Sequence, residues 1–280
     1  MGRVTNRYRV VRVVDGVATA RPDTLAAEEP LEIRVAGRPL TVTMRTPGDD
    51  FDLARGFLVS EGVVAGDSDV AAIRYCAGAT TDGGNTYNVV DVLLADGVAA
   101  PDPSLERNFY TTSSCGLCGK ASLEAVRTIG KWRVDCDPLR LTTATIATLP
   151  EKLRAAQQVF DRTGGLHAAA LFDAEGEVLR VREDVGRHNA VDKVIGWALG
   201  AGRLPLTGTT LMVSGRASFE LVQKAVMAGI PALAAVSAPS SLAVDLAREM
   251  GLTLIGFLRG SSMNVYSAGE RITTAEVLRC

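Results

Sequence analysis

The chain of 280 residues is poor in cysteine, with five thiols, and has only two histidines and two tryptophans. Five thiols are an odd number and a small share of so long a chain. That excludes the dense disulfide framework of a small secreted scaffold. No staple is needed, because a chain of this length buries roughly three quarters of its extended surface on folding. An excess of one charge is lacking too. Thirty basic side chains against thirty-two acidic ones leave a net charge of −2, which speaks against general nucleic-acid binding and restricts anion sites to small, shaped ones. Long apolar runs are missing. The longest, residues 225–238, is broken by Gly229 and Pro231 and falls short of the ~18–20 residues that a membrane helix requires. Near the start, Arg3 and Arg7 are not followed by an apolar segment or a small-residue cleavage pattern, and Asn6 stands where a myristoylation signal needs Ser or Thr. The expectations are a cytoplasmic protein with no membrane and no nucleic-acid partner.

What is present falls into two rhythms, with no repeat of 20–50 residues and no low-complexity block. The first hundred residues read as β-rich. A β-branched run at 8–14 is followed by a small-residue connection ending at Pro30, and then by alternating strands at 31–35 and 40–44 joined by a turn at 37–39. Residues 50–61 carry a helical period, and strands follow around Ile73 and at 89–94. A proline-containing loop at 99–114 separates this portion from a second one in which helix and strand alternate. Helices are expected at 149–160, 191–199, 221–228 and 242–250, and strands at 168–172, 209–213, 232–236 and 252–258. Strands about twenty residues apart with helices between them imply right-handed βαβ units and a largely parallel sheet. The expected architecture is therefore α/β, with a β-rich N-terminal subdomain over residues 1–110 and an α/β domain over 111–280.

The sharpest local signal is Ser113-Ser114-Cys115-Gly116-Leu117-Cys118-Gly119-Lys120. Two thiols with two residues between them serve in redox sites, metal sites and sulfur transfer alike. The run opens a helical segment. Unpaired N–H groups at a helix start, together with Lys120, favour thiolate at Cys115. Zinc would need four ligands, and a ribbon spacing running through Cys136 puts Leu139 in the fourth place. The spacing alone leaves redox chemistry and sulfur transfer tied.

Three loops lie beyond expected strand ends, where α/β sheets bind ligands. Ser214-Gly215-Arg216-Ala217-Ser218 opens a helix and suits a phosphate, without the spacing of a Walker loop. Phe257-Leu258-Arg259-Gly260-Ser261-Ser262 ends the last expected strand and offers a ring to stack a base, a guanidinium and two hydroxyls. Glu183-Asp184-Val185-Gly186-Arg187-His188-Asn189 holds one histidine at a helix start, and Thr163-Gly164-Gly165-Leu166-His167 holds the other.

Taken together in order, the runs Ser114 to Lys120, Thr163 to Ala169, Glu183 to Lys193 and Ser214-Gly215-Arg216 resemble the FdhD/NarQ family of formate dehydrogenase accessory sulfurtransferases, from about Arg34 to Tyr266. The resemblance implies a sulfur carrier that accepts persulfide sulfur from a cysteine desulfurase. It implies delivery to the molybdenum cofactor, in its bis-guanine-dinucleotide form, before that cofactor enters the catalytic subunit of formate dehydrogenase. By motif, Cys115 matches the persulfide-bearing cysteine and Cys118 its partner, while Phe257, Leu258, Arg259, Gly260, Ser261 and Ser262 match the stretch that binds the guanine dinucleotide. The resemblance further implies a three-layer sandwich similar to cytidine deaminases, with no permanent metal. Ala169 stands where the H-x-E motif of a true deaminase would need its glutamate, and no P-C-x-x-C follows. A homodimer is a further expectation. The rival readings are a C-x-x-C thiol–disulfide oxidoreductase and a zinc- or nucleotide-binding module.

Overall fold

The computed structural model describes residues 4–76, 86–101 and 130–274. Cys115, Cys118, the helix expected after them, most of the 99–114 loop, and Cys280 lie outside the described residues.

The chain opens with an antiparallel ribbon, β1 (Thr5–Val14) paired to β2 (Val17–Ala26) over its full length. The turn is Asp15-Gly16, with φ of 49° and 79°. Two successive positive φ values are what a two-residue hairpin of native twist requires. β2 corrects the expectation of a small-residue connection: its Ala, Pro and Asp residues have weak strand preference, and pairing to β1 supplies the rest. Next come β3 (Glu29–Val35) and β4 (Arg38–Arg45), the expected hairpin, then α1 (Asp50–Ser60), β5 (Val70–Tyr75) and β6 (Val89–Leu94). These four strands form a sheet ordered β4-β3-β6-β5, parallel only between β3 and β6.

The rest of the chain runs β7 (Leu141–Thr142), α2 (Thr143–Ala156), α3 (Gln158–Thr163), β8 (His167–Phe172), β9 (Val178–Asp184), α4 (Arg187–Gly200), β10 (Thr210–Val213), α5 (Phe219–Met227), β11 (Ala232–Ala235), α6 (Ser241–Met250), β12 (Thr253–Arg259), β13 (Ser262–Ser267) and β14 (Ile272–Thr273). The helix expected at 149–160 begins earlier, at α2, where the Thr142 hydroxyl accepts from the Thr145 N–H at 3.0 Å. A side-chain acceptor before the first turn fixes a helix start better than apolar period does. The six-stranded sheet is ordered β13-β12-β11-β10-β8-β9. It is mixed rather than largely parallel. Only β10–β11 and β11–β12 are parallel, because the β8–β9 and β12–β13 hairpins add antiparallel strands at both sides.

The expected three layers are present. Period-two alternation along β8 sends Ala168, Ala170 and Phe172 to one face, packed with Ile146, Leu149 and Leu153 of α2. Ala169 and Leu171 go to the other face, in a cluster that includes α4, α5 and α6, continues through Leu53 and Leu58 of α1, and reaches Leu31, Ile33, Val90 and Val92 of the smaller sheet. The likeness to cytidine deaminases in particular rests on the family resemblance alone.

α4 lies at the centre, buried on nearly every side. Glycine sets its distance from α1. A Cβ on Gly56 would collide with the Asp192 carbonyl, and one on Gly196 would collide with the Asp52 carbonyl. Each helix thus seats a hydrogen atom of its neighbour's glycine against its own backbone. Gly56→Ala should cost about 3 kcal/mol or more by forcing the helices apart, read as a drop in denaturant midpoint. A midpoint unchanged within error would show that the crossing can slide.

Candidate functional site

β10, β11 and β12 are parallel, so their C-terminal ends share one edge of the large sheet, together with the start of β8 and the end of β9. That edge collects His167, Asp184 to His188, Ser214 to Ser218, Ser237 and Phe257. Three of the loops singled out in the sequence therefore meet with the Gly164-Gly165-Leu166-His167 run, as strand-end binding in open α/β sheets leads one to expect.

The edge is built on a buried carboxylate. Asp184 has no exposed surface and accepts from Thr46 N at 3.1 Å, Gly186 N at 2.8 Å, Asn189 Nδ2 at 3.0 Å and Lys193 Nζ at 2.7 Å. Lys193 also donates to the Thr46 carbonyl at 2.9 Å, and Asn189 to the Met44 carbonyl at 2.7 Å. These bonds tie the end of β9, the start of α4 and the segment after β4 into one unit. Ser214 is fixed in turn by β8: its hydroxyl accepts from Ala168 N at 2.9 Å, and its own N–H donates to the Ala168 carbonyl at 3.0 Å.

On this base sit the two histidines. His167, half-buried, pairs across the ladder with Asp184, and a Cβ on Gly215 would lie 3.5 Å from its Nδ1. Burial, reinforced by the neighbouring Arg187 guanidinium, pushes the His167 pKa below the ordinary histidine value. His188, in the first turn of α4, meets Glu220 Oε2 at 2.7 Å and Ser218 Oγ at 3.3 Å through Nε2. That contact holds the Glu220 carboxyl below its usual range. Because Ser218 faces His188, it leaves the start of α5 without a side-chain cap, and Gly186 leaves the start of α4 uncapped as well. Arg187 keeps a buried, unpartnered Nε, and Arg216 is exposed. Two open helix starts and two guanidiniums around a neutral imidazole make an anion-accepting edge.

The C-terminal stretch departs from its expected form. β12 is followed by β13, so Arg259 to Ser262 form a hairpin turn rather than a strand end. The ladder shifts register between Gly256 and Arg259, and Phe257 takes φ of 52° there. A left-handed conformation is strained for a bulky residue. It puts the ring outward, 42% exposed, while the Phe257 N–H donates to the Ser237 carbonyl at 3.2 Å. Leu258 points the other way and is fully buried in the core on the α2 side, so it can shape this stretch but offers a ligand no side chain. Arg259, Gly260, Ser261 and Ser262 are exposed.

Beside the edge lies a cleft of about 950 Å³, between α2–α3 and the sheet, lined among others by Arg154, Phe160, Leu166, His167, Ser214 and Val236. Glu183 fixes its wall, accepting from Val159 N at 2.9 Å and Phe160 N at 2.8 Å at the start of α3. Among the described residues no three His, Cys, Asp or Glu side chains converge as a metal site. Leu139 is in the core, and Cys136 is exposed.

The FdhD/NarQ family model matches residues 26–273. The chain belongs to the FdhD/NarQ family. It is 70% identical over 273 residues to the sulfur carrier protein FdhD of Streptomyces avermitilis, covering 97% of each chain. It is 64% identical to that of Mycolicibacterium paratuberculosis, over 96% of this chain and 99% of the relative. A crystal structure of a candidate formate dehydrogenase accessory protein from Desulfotalea psychrophila superposes with a TM-score of 0.75 at 25% identity, over 97% of this chain and all of that one. No helix among the described residues is long and apolar enough to cross a membrane.

Sequence reasoning missed Glu220, and it held Lys193 only as the last residue of the Glu183-to-Lys193 run, without its pairing role. Each partners a residue flagged in the third loop, but pairing at 32 and 9 positions' distance leaves no pattern to find. His167 should titrate below ~6.5, and Arg187→Gln should raise its midpoint by removing a cation, both read from the imidazole resonance by NMR. A folded pKa below the unfolded value costs nothing at pH 7 and destabilises the fold progressively as pH falls through ~6.5. A midpoint above ~6.5 would show the ring to be solvated.

Proposed function

We propose that the chain is a sulfur carrier that takes persulfide sulfur on Cys115 and passes it to the molybdenum cofactor, in bis-guanine-dinucleotide form, before insertion into formate dehydrogenase. In the first step the Cys115 thiolate attacks the sulfane sulfur of a desulfurase persulfide. The donor S–S bond breaks, the desulfurase thiolate leaves and takes up a proton, and Cys115 holds the added sulfur. In the second step Cys118 thiolate attacks the inner sulfur of Cys115. A Cys115–Cys118 disulfide forms, hydrosulfide leaves towards the cofactor, and a cellular thiol reduces the disulfide for the next round.

Relatives at 70% and 64% identity across almost the whole chain are named as sulfur carriers, which supports the transfer role. The observation that carries the cofactor part is Phe257, displayed to solvent in a strained backbone on the same sheet edge as the anion-accepting groups. Strain of roughly 1–3 kcal/mol persists where a side chain must be aimed. Its ring stacks guanine, the Arg259–Ser262 turn closes over the base, and Arg187, His188 and Arg216 face phosphate. Binding at these remote groups positions the metal end for sulfur delivery.

Incubation with a cysteine desulfurase and cysteine should add about 32 Da, one sulfur, to the peptide containing Cys115. Cys115→Ala should abolish both this adduct and activation of formate dehydrogenase. Phe257→Asn keeps a residue that tolerates positive φ, so it should leave the melting temperature nearly unchanged while weakening GDP binding about tenfold or more, the loss of one stacked base. An adduct that survives Cys115→Ala overturns the transfer step. Insulin reduction by the wild type would favour a thiol–disulfide oxidoreductase, and stoichiometric zinc lost in Cys118→Ala would favour a metal-binding module.

A further inference from the structure

The β1–β2 ribbon does not serve the core. Every residue from Val11 to Pro22 is exposed, and the family model begins at Ala26, where the ribbon ends. A two-stranded hairpin is marginal by itself in water, yet this one shows Val11, Val13 and Val17 at 67%, 63% and 67% exposure. The register places Val11 opposite Ala20, Val13 opposite Ala18 and Arg9 opposite Pro22 on one face, with Val14 opposite Val17 and Arg12 opposite Thr19 on the other. The strands carry Arg7, Arg9, Arg12 and Arg21 but no lysine. None of the four arginines takes part in an ion pair among the described residues. A valine-rich tip backed by unpaired arginine on both faces of the ribbon, with lysine absent, carries residue types that suit a protein interface.

The root of the ribbon lies at the cleft. β2 packs against α3, whose Phe160 lines the cleft wall, and a Cβ on Gly165 would meet the Ala26 methyl at 3.8 Å. A protein gripping the ribbon would therefore lie beside the cleft mouth and the sheet edge. We propose that the ribbon is a docking arm for an acidic protein surface with an apolar centre, borne by the apo-enzyme that receives the cofactor; the choice of that enzyme rests on the function proposed above. The four guanidiniums pair with carboxylates of that surface, and the valines at the tip fill its apolar centre. This separates two tasks along the chain: the sheet edge holds the cofactor, and the ribbon holds its recipient.

The test is the affinity of the full chain for purified apo formate dehydrogenase catalytic subunit, measured calorimetrically at 50 and 300 mM salt. Arg9→Glu combined with Arg12→Glu and Arg21→Glu should weaken binding about tenfold or more and flatten its salt dependence. Arg→Lys at the same positions should keep the salt dependence, and Val11→Ser with Val13→Ser should weaken binding at both salt levels. Because all these side chains are exposed, melting temperatures should stay within a few degrees. Unchanged affinity in the reversed variant, or no wild-type binding, overturns the proposal. So does wild-type affinity for duplex DNA or anionic vesicles at 150 mM salt that the reversal removes. Sulfur uptake on Cys115 is measured in parallel. If uptake is intact and docking is indifferent to the ribbon, only the docking arm fails; if uptake itself is absent, the function proposed above fails.

Discussion

A charge removed from water has to be surrounded, and Asp184 is surrounded by four donors from three parts of the chain. Its pair with Lys193, itself 2% exposed, is isolated from solvent screening. Loss of one partner would leave the other buried and uncompensated, a cost of about 3–5 kcal/mol. The direction of the α4 start, the facing of His188 and the position of the segment after β4 all depend on this one carboxylate. The sheet edge can therefore keep two helix starts uncapped: its geometry is fixed from below rather than by caps that would occupy the anion-accepting face.

A second buried pair repeats the arrangement on the adjacent residue of α4. Asp192 accepts from Lys224 at 2.8 Å and from the Ser60 hydroxyl at 2.8 Å, joining α4 to α5 and α1. Close by, burial raises the Glu61 carboxyl above its ordinary pKa. Ion pairs of this kind add little net stability against apolar substitutes, but they specify which helix meets which. Here they choose the partners of a helix whose other neighbours are alanine, valine and leucine, side chains that could pack in several registers.

Much of this was legible in the sequence. Alternation in residues 31–35 and 40–44, the helical period at 50–61 and the glycine after 250 each mark an element that the structure contains, because these signals are local. β13 and the ribbon strand β2 were not legible: both are held by pairing to a neighbour, and Pro22 and Asp23 in β2 and Ser262 and Asn264 in β13 interrupt a strand pattern. The strand direction of the large sheet was misread for a related reason. Spacing announces a βαβ unit but does not say where hairpins join the sheet beside it. At the sheet edge, the loops themselves could be found from glycine, arginine and histidine in succession. Their meeting, and the Glu220 and Lys193 partners that fix them, come from tertiary proximity and carry no sequence period. Cys115 and Cys118 were the plainest motif, and they lie outside the described residues.

The glycine contact between α1 and α4 bears on how members of this family can be recombined. α1 comes from the first sixty residues and α4 from well past the middle, and each offers its bare Cα to the other's backbone. A chimera that takes its opening third from one parent and its remainder from another inherits half of this crossing from each. Such hybrids should be viable only where both parents keep glycine at the two matching places, however alike their surfaces are, so breakpoints are better chosen within one side of that crossing than across it.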